Sequence, residues 1–538
     1  MRIQRIIIEN SRWCPSLSID LRGHLVIVGP NEAGKSSLLR LLDAALSWTN
    51  GRLLNELTVA AVAAADRPLV VEVRLCDPDA EAEAAFADEI EVGSDGSLSL
   101  TVRLEARVSA DDPLALDIQR DFVKDGVRPI RVLQKHLPYL RWTLLQANRS
   151  ADRELGRGRS GTVRTLLDSV DLKGDRAALG AAVKALNDAL ASSGPLDELR
   201  GQIAAALSEV YPRSVDRSAV LVELPSAHDP LSDVDVRLVP VDGGEGASLL
   251  EQSDGLRSLS VMSLQMLVRG GAAITAVDEP EVHLHPRSQA RVARLLASKP
   301  GQRVIATHAP AVVRAFKPSE VLALTGAGAR QLSAGAIESD LKFFSQWWVE
   351  ATLEPLTARG VILVEGISDE TLLRTIAQLK EVDLDREGLS VVSLGGANNF
   401  TNAYRLFGRD GFGIPVAALV DEAEAGQPAE ALGIDRADLE RSGVFVATPD
   451  LEGEYCAALG ASRTLDALTR SGLFTEAQIL AATKGSDIRD IPEDDVWQFC
   501  RSKKRKTMAA IAISEALCVE DVDAIVTLSA VIEFACHS

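Results

Sequence analysis

The sequence lacks any uninterrupted apolar run of about 18 residues or more, which a membrane-spanning helix would need. Its six cysteines are scattered along the chain without the paired spacing of a zinc site. The first residues, MRIQRIIIENS, predict a strand rather than a secretion signal, because they contain neither a long apolar core nor a small-residue cleavage site. We therefore expect a cytoplasmic protein with reduced thiols and no membrane partner.

Positive charge is also scarce. The 538 residues include 57 basic and 77 acidic side chains, for a net charge of −20, which argues against non-specific coating of nucleic acid. Basic residues still cluster at 120–164, with eleven Lys or Arg against four acids, and at 501–507 (RSKKRKT). Each cluster is either a solvated face or part of a local basic channel. The length allows about two to four domains, each with its own core.

One glycine-bounded loop matches a nucleotide-binding motif in full. The stretch HLVIVGPNEAGKSSLLRLLDAAL predicts a strand, a loop and a helix, and residues 29–36 fit G-x-x-x-x-G-K-[ST]. In this motif backbone N–H groups surround the β-phosphate, Lys35 reaches the outer phosphates and the Ser36 hydroxyl ligates magnesium. The predicted ATP-binding residues of the loop are Gly29, Asn31, Gly34, Lys35, Ser36 and Ser37.

Two later apolar stretches end in the partners that this chemistry requires. AAITAVDEPEVHLHP predicts a strand that ends in Asp278, a magnesium ligand, and Glu279, which would polarise the attacking water. QRVIATHAP predicts a strand followed by His308, which could contact the γ-phosphate. Alone, His308 would be an ordinary histidine at a strand end. With Lys35 and Asp278 in the same chain, we interpret it as part of the ATP site.

The order of four motifs indicates a family of ATPases. GPNEAGKSS, QSDGLRSL, AVDEPEVHLHP and IATHAP resemble, in this order, the ATPase heads of the ABC superfamily, of the SMC and RecF kind. The resemblance implies that Ser253 and Gly255 of one subunit close over ATP held by the other, so that the protein is a homodimer through its heads. The tripeptide at 253–255 would otherwise be a plain helix cap. Gln146 is the candidate for the residue that senses magnesium and the γ-phosphate.

The domain organisation follows from changes in pattern. We assign residues 1–340 to the ATPase head, in which an Ala/Leu-rich segment at about 160–212 predicts two or three helices with a Gly-Pro break at 194–195. This insert either packs onto the head or mediates dimerisation. Residues 341–358 form a connector, 359–456 a second α/β domain, and 457–538 a C-terminal helical region.

The second α/β domain has acids at its predicted strand ends. Four apolar stretches, near 360, 389, 415 and 444, each end in glycine or carboxylates, which predicts a parallel sheet with a site at its C-terminal edge. Any one acid could be a helix cap or a solvated turn residue. Acids at three of the four ends favour a common magnesium or manganese site. The acids that could gather there are Glu365, Asp369, Asp421, Glu422, Glu424, Asp450, Glu452 and Glu454.

VILVEGISDE, LVDEAEAG and PDLEGEY resemble the TOPRIM domain. A phosphate-loop ATPase followed by TOPRIM resembles the OLD family of ATP-dependent endonucleases over nearly the whole chain. The resemblance implies a metal site at this edge completed by a C-terminal lysine, for which Lys506 is the best candidate and Lys503 and Lys504 are rivals. Its predicted ligands are Glu365, Asp369, Asp421, Glu424 and Glu452.

Position 423 departs from the TOPRIM pattern. The second aspartate of the family's Asp-x-Asp pair is replaced by Ala423, so either Glu424 or Glu422 supplies the missing oxygen or one metal site is weakened. Glutamate can in principle replace the shifted aspartate, because its extra methylene lengthens its reach.

These patterns predict an ATP-binding, divalent-metal-dependent endonuclease that acts on DNA or RNA, with ATP and Mg²⁺ or Mn²⁺ as cofactors. Two ions about 4 Å apart would support phosphodiester cleavage. The resemblance suggests phage defence with an unidentified partner. The alternative is an ATP-switched sensor or scaffold with a non-cleaving TOPRIM domain; a primase-like polymerase has less support. The predicted catalytic residues are Glu279, His308, Glu365, Asp421 and Lys506.

Overall fold

The protein divides into two compact units, Met1–Ala329 and Arg330–Ser538. No helix in the described part of the chain is long and apolar enough to cross a membrane. The computed structural model describes residues 1–124, 126–146, 176–210, 214–216, 218, 220–223, 235–239, 246–248, 251–253, 255–257, 259–260, 273–282, 284–325, 328–332, 353–396 and 399–537.

The first unit contains sixteen described strands and seven described α-helices. Its strands, with the last one reaching across the boundary, are β1 (Arg2–Glu9), β2 (Leu17–Asp20), β3 (Leu25–Val28), β4 (Leu69–Cys76), β5 (Glu91–Val92), β6 (Leu98–Val108), β7 (Leu116–Val123), β8 (Ile130–Arg131), β9 (Trp142–Gln146), β10 (Val220–Glu223), β11 (Asp235–Leu238), β12 (Ala247–Ser248), β13 (Ile274–Asp278), β14 (Gln302–Ala306), β15 (Val321–Thr325) and β16 (Gly328–Gln331). Its helices are α1 (Lys35–Leu46), α2 (Asn50–Glu56), α3 (Ala80–Ala85), α4 (Arg176–Ala191), α5 (Gly194–Ser208), α6 (Pro286–Ser298) and α7 (Pro310–Val313).

The second unit alternates strands with helices and then becomes helical. Its strands are β17 (Gly360–Val364), β18 (Leu389–Ser393), β19 (Val416–Asp421) and β20 (Val444–Ala447). Its helices are α8 (Leu353–Thr357), α9 (Ile367–Leu379), α10 (Phe400–Phe407), α11 (Gly426–Leu432), α12 (Leu451–Arg470), α13 (Glu476–Thr483), α14 (Glu493–Arg501), α15 (Lys506–Ser514) and α16 (Val526–His537).

Two larger sheets build the first unit. One has the order β16-β15-β3-β14-β13-β9, and its pairings from β15 to β9 are parallel. The other has the order β2-β1-β4-β6-β7-β8, with β5 beside β6, and is antiparallel. Every residue of β3 and β14 is buried, whereas β6 alternates between buried and half-buried positions. The first pattern is typical of a central parallel strand and the second of a sheet with one covered face.

A short antiparallel sheet of β10, β11 and β12 also belongs to the first unit. In the region predicted as an insert, α4 and α5 are separated by residues 192–193, and Pro195 lies in the first turn of α5, where its missing N–H costs nothing. Residues 160–175 of that region lie outside the described residues. The basic arginines at 149–164 lie outside them as well.

The second unit is built on a parallel sheet of order β18-β17-β19-β20. All of β17 is buried, which is typical of a central strand in a parallel sheet. Helices α9, α12, α14, α15 and α16 pack with the sheet into one apolar core. Two predicted boundaries differ from the structure: the units meet at 329–330 rather than 340, and the boundary at 456 falls inside α12. Most of the connector, 341–352, lies outside the described residues.

Candidate functional sites

The phosphate loop joins a buried strand to a helix, as its motif requires. Gly34 precedes α1 with a φ of +93°, a left-handed conformation that favours glycine. A Cβ at Gly29 would lie 2.5 Å from the Leu324 carbonyl oxygen, so a larger residue does not fit there. Asn31 is exposed and Ser37 is half-buried in the first turn of α1. The backbone thus has the shape that would let its N–H groups surround a phosphate.

Lys35 is buried and donates to main-chain oxygens of its own loop. Its ammonium lies 3.0 Å from the Gly29 carbonyl oxygen and 2.9 Å from that of Pro30. Burial lowers the pKa of Lys35, against the opposing attraction of Glu279 and Asp278. A buried cation bound mainly to carbonyl groups can exchange them for the stronger, charge-assisted bonds of a phosphate.

The Ser36 hydroxyl lies beside Asp278. It donates to Asp278 Oδ1 at 2.9 Å, although the two residues are 242 positions apart in the chain. Burial raises the pKa of Asp278, and the bond from Ser36 opposes that shift. A hydroxyl and a carboxylate oxygen at this distance form the donor set that a nucleotide-bound magnesium ion prefers, so both residues fit that ion.

Glu279 and His308 face each other at the ends of neighbouring parallel strands. His308 Nε2 lies 3.7 Å from Glu279 Oε1, and Glu279 has a φ of +47°, held by its N–H bond to the Ala306 carbonyl oxygen. Glu281, which the motif analysis passed over, accepts the backbone N–H of His308. The DEPE order, with an acid two positions after Glu279, was the only sequence signal for it.

Three further predicted ATP-site residues are described mainly by their backbone. Gln146 ends β9 in register with Asp278, so it lies at the same sheet edge, and its side chain lies outside the described part. The Ser253 carbonyl oxygen accepts the Arg257 N–H at 2.9 Å, and Gly255 begins that helical turn. The placement of all three is compatible with the predicted roles, which stay predictions.

The acidic site of the second unit gathers side chains from several elements. Glu365 follows β17, Asp369 lies in the first turn of α9, Asp421 ends β19 and Glu452 lies in the first turn of α12. The carboxyl ends of parallel strands meet at one edge of a sheet, which explains why residues 87 positions apart come together.

Lys506 connects three of these carboxylates. Its ammonium lies 3.3 Å from Glu452, 3.5 Å from Asp421 and 3.7 Å from Asp369. Burial disfavours the charged lysine, but the surrounding carboxylates outweigh burial and raise its pKa well above the usual value. Lys506 is the first residue of α15, and α15 packs against α9. This packing places the Lys506 ammonium group at the edge of the sheet.

Burial and crowding raise the pKa values of the carboxylates. Burial is the largest cause for Glu365, Asp369 and Glu452; Lys506 opposes it, and neighbouring acids add to it. The pKa of Glu452 rises to about 8. Four carboxyl groups face one lysine, so ionising all of them leaves an excess of negative charge that a divalent cation would neutralise.

The donor set fits a hard divalent cation. All its donors are carboxylate oxygens, and Glu452 Oε1 is buried without a hydrogen-bond partner among the described residues. Within the described ranges no three of these side chains are already spaced as a set of metal ligands. Asp369, Asp421 and Glu452 each lie within 3.7 Å of the Lys506 ammonium group instead.

Glu424 lies in a single turn of 3₁₀ helix, Glu422–Glu424, directly after β19. Its Oε2 accepts a bond from Gln427 at 3.4 Å, and its charge contributes to the raised pKa of Glu365. Glu424 is therefore near enough to Glu365 to share its electrostatic environment, although Ala423 provides no oxygen. Its predicted role as a ligand stays a prediction.

Two of the eight strand-end acids have structural partners instead. Asp450 caps α12 through the Gly453 N–H at 2.8 Å and accepts the Trp497 indole N–H at 2.7 Å. Glu454 accepts the Thr527 backbone N–H at 2.7 Å. These bonds hold both acids to the surrounding helices, but the charge of Asp450 still contributes to the raised pKa of Glu452, so their place in the cluster stays a prediction.

Comparison with known proteins identifies both units. Residues 25–314, more than half of the chain, match the family described as “AAA domain, putative AbiEii toxin, Type IV TA system”. The chain belongs to this family. Residues 356–422 of this AAA-domain protein match “Overcoming lysogenization defect protein-like, TOPRIM domain”. The chain therefore combines an ATPase domain with an OLD-like TOPRIM domain. No curated protein matches the chain.

Solved structures similar to this AAA–TOPRIM protein fall into two groups. The SMC head domain from Thermotoga maritima is 15% identical, with 60% of this chain and 94% of that chain covered and a TM-score of 0.33. The C-terminal region of the Burkholderia pseudomallei OLD protein is 24% identical (33% and 98% covered, TM-score 0.27). The C-terminal region of the Xanthomonas campestris pv. campestris OLD protein is 27% identical (34% and 97% covered, TM-score 0.28).

The predicted fold class of the AAA–TOPRIM protein is confirmed: a phosphate-loop ATPase head precedes a TOPRIM domain with a parallel sheet. The motif analysis missed the polar network that supports the head. Asp43 of α1 is buried and accepts the indole N–H groups of Trp48 at 2.7 Å and Trp142 at 2.9 Å. Since Trp142 begins β9 and Gln146 ends it, this network joins the phosphate-loop helix to the strand that carries Gln146.

Proposed function

We propose that the protein is an ATP-dependent, divalent-metal-dependent endonuclease of the OLD type that cuts DNA. The observation that carries the proposal is the position of Lys506, whose ammonium lies within 3.7 Å of carboxylates from α9, β19 and α12. Carboxylates can hold metal ions while a lysine beside them stabilises the charge on a phosphodiester, so this arrangement suits phosphodiester cleavage.

The carboxylates and the lysine have separate tasks in this proposal. Divalent ions, when bound, would activate a water molecule and stabilise the leaving oxygen. Lys506 presents a permanent positive charge, since its pKa is raised, to the negative charge that develops on the phosphate. The residues that would hold the ions are Glu365, Asp369, Asp421, Glu424 and Glu452.

ATP would act in the first unit. Lys35 would bind the outer phosphates, and Ser36 and Asp278 would hold the nucleotide's magnesium ion. Glu279 would polarise the attacking water, and His308, whose Nε2 lies 3.7 Å from Glu279, would contact the γ-phosphate. Ser253 and Gly255 of a second copy would cover the same nucleotide, so the active form is a homodimer through its heads.

One specific observation favours a second candidate function. Ala423 removes an oxygen at the end of β19, and Lys506 ion-pairs with three of the candidate ligands. A chain with these features could use the acidic cluster to recruit a partner under the control of ATP, without cleavage. The retained Glu365, Asp369, Asp421 and Glu452 favour the nuclease.

The experiment that separates the two functions is cleavage of supercoiled plasmid and of single-stranded RNA, with Mg²⁺ or Mn²⁺, with and without ATP. Wild type is compared with Glu365→Ala, Asp421→Ala and Lys35→Ala. We expect metal-dependent cleavage of DNA that both TOPRIM variants lose. Absence of cleavage on every substrate contradicts the nuclease. Loss in Lys35→Ala without loss in Asp421→Ala would assign the chemistry to the first unit.

A defence role extends the proposal, because the TOPRIM family description refers to lysogenization. Plaque counts on bacteria that express wild type or Asp421→Ala would test it. We expect fewer plaques with wild type than with the variant, and equal counts on both strains would remove defence, with its unidentified partner, from the proposal.

A further inference from the structure

A recess of about 450 Å³ lies beside the acidic cluster in the second unit. Its walls come from the segment after β17, the loop after β18 and the start of α15. It shares Glu365, Asp369 and Lys506 with the acidic cluster and extends beyond them to Lys503 and Thr507. The proposed chemistry uses only the acidic end, so the rest of the recess has no assigned role.

One end of the recess carries a free positive charge. Lys506 is already ion-paired with three carboxylates, whereas no residue in the described ranges forms an ion pair with Lys503. Lys504, its neighbour, does not line the recess. Lys503 and the Thr507 hydroxyl, which flank Lys506 in the chain, therefore provide a cation and a donor for an anionic group.

The remaining lining of the recess combines two apolar side chains with three glycines and with two serines, Ser368 and Ser393. The Ile367 side chain is 64% exposed although it lines the recess beside Glu365. Gly395 and Gly396 have φ values of +67° and +133°, and a Cβ at either would meet no atom of the described residues within 4 Å. The exposed Ile367 in the same lining offers an apolar surface to a flat ring.

We propose that this recess receives one unpaired nucleotide next to the phosphodiester that is cut, with its phosphate at Lys503 and Thr507 and its base against Ile367. The volume lies within the range of about 300–1,000 Å³ that holds one small ligand. A base stacked in a closed duplex cannot enter such a recess unless it is extruded. The inference rests on the proposed nuclease function and narrows its substrate to DNA with unpaired nucleotides.

The test measures binding rather than cleavage, using the full chain with calcium present. The probes are a fluorescein-labelled single-stranded DNA of about 20 nucleotides and a blunt hairpin duplex of the same sequence, followed by fluorescence anisotropy. We expect wild type to bind the single strand at least about tenfold more tightly than the duplex.

Two variants and a matched control locate the binding. Lys503→Ala removes the phosphate contact, so it should weaken single-strand binding about five- to tenfold and reduce its salt dependence by about one unit. Ile367→Ala, at an exposed position that should not affect folding, should weaken it about fivefold through lost base contact. Lys504→Ala makes the same change in charge outside the recess and should change binding less than about twofold.

The outcomes separate this inference from the proposed function. Equal binding of single strand and duplex by wild type, or equal effects of Lys503→Ala and Lys504→Ala, overturns the recess assignment even where the protein cuts DNA. If the protein binds the single strand more tightly than the duplex, as expected, but never cuts DNA, the nucleotide subsite stands and the proposed nuclease function is contradicted.

Discussion

Lys35 and Lys506 are both withdrawn from solvent, but their surroundings shift their pKa values in opposite directions. Lys35 donates to two backbone carbonyl groups, and burial lowers its pKa. Lys506 is surrounded by carboxylates, which raise its pKa. The charge of Lys35 is therefore available to an added anion, whereas the cluster around Lys506 keeps excess negative charge and favours an added cation. The same residue type serves a nucleotide site in one unit and an acidic site in the other.

The two units nevertheless support their sites with the same device. Asp43 accepts the Trp48 indole N–H and lies 3.7 Å from Arg52, while Arg52 stacks 4.4 Å from the Trp48 ring. In the second unit Asp450 accepts the Trp497 indole N–H and pairs with Arg501 at 3.2 Å, and that arginine lies 4.9 Å from the Trp497 ring. Each unit thus contains a buried carboxylate that contacts a tryptophan and an arginine, and the arginine follows the tryptophan by four residues. The carboxylate belongs to α1 in the first unit and caps α12 in the second, and both helices carry site residues.

The largest expected effect is that of removing the cation from the acidic cluster. Lys506→Ala leaves Asp369, Asp421 and Glu452 without their ion pair and a bound phosphate without its positive partner. We expect plasmid cleavage to fall about 1,000-fold, the upper end for one electrostatic group, while ATP hydrolysis stays within about twofold. Initial rates of both reactions give the answer. Lys504→Ala is the control, and a Lys506→Ala protein that keeps a tenth of its cleavage rate contradicts the assignment.

Removing the phosphate-loop lysine should impair ATP hydrolysis and leave the acidic site of the second unit unaffected. Lys35→Ala leaves the phosphates without a cation, so ATP hydrolysis should fall about 100-fold. Binding of a short DNA oligonucleotide, measured with calcium and without ATP, should not change, because Lys35 belongs to the first unit. Lys135→Ala, at an exposed position of the same unit, controls for the loss of one charge. Parallel loss of ATP hydrolysis and DNA binding would mean that the two lysines do not act separately.

Replacing Asp43 should remove the contacts that support the phosphate-loop helix. Asp43→Ala leaves the indole N–H groups of Trp48 and Trp142 buried without an acceptor, which should lower the free energy of unfolding by about 2 kcal/mol. Thermal unfolding of the full chain measures this loss. Asp111→Ala, at an exposed position of the same unit, should change it by less than about 0.5 kcal/mol. Equal effects of the two substitutions would remove the proposed support.

The motifs predicted where each site lies, but side-chain direction decided which residues enter it. A phosphate loop requires a strand before it and a helix after it, and acids at the ends of parallel strands meet at one edge. Glu452 and Glu454 lie two positions apart on α12, so they face different ways, and only Glu452 reaches Lys506. The bond between Trp142 and Asp43 spans 99 positions and follows from packing alone, so no local pattern predicts it.

The protonation of Glu452 distinguishes the acidic site from the nucleotide site as the pH changes. Its pKa is raised from 4.5 to about 8, so between these values the unfolded chain releases a proton that the folded chain keeps. The free energy of unfolding therefore falls as the pH rises through this window, and the loss is complete above pH 8. Glu452→Gln lacks this loss. The unfolding temperature of Glu452→Gln, relative to that of wild type, should therefore rise from pH 5 to pH 8. A difference between the two unfolding temperatures that stays constant over this range would contradict the raised pKa.

The smallest expected effect concerns the position where the TOPRIM pattern is broken. Glu424 accepts one long bond, of 3.4 Å, from Gln427, and its charge contributes to the raised pKa of Glu365, so we expect Glu424 to contribute weakly as a ligand. Glu424→Gln should lower cleavage about fivefold, and Glu422→Gln, on the same 3₁₀ turn, less than about twofold. Adding Ala423→Asp to Glu424→Gln should restore the rate, because it returns a carboxylate oxygen beside Asp421. If the added aspartate changes nothing, the end of β19 holds its ion through Asp421 alone.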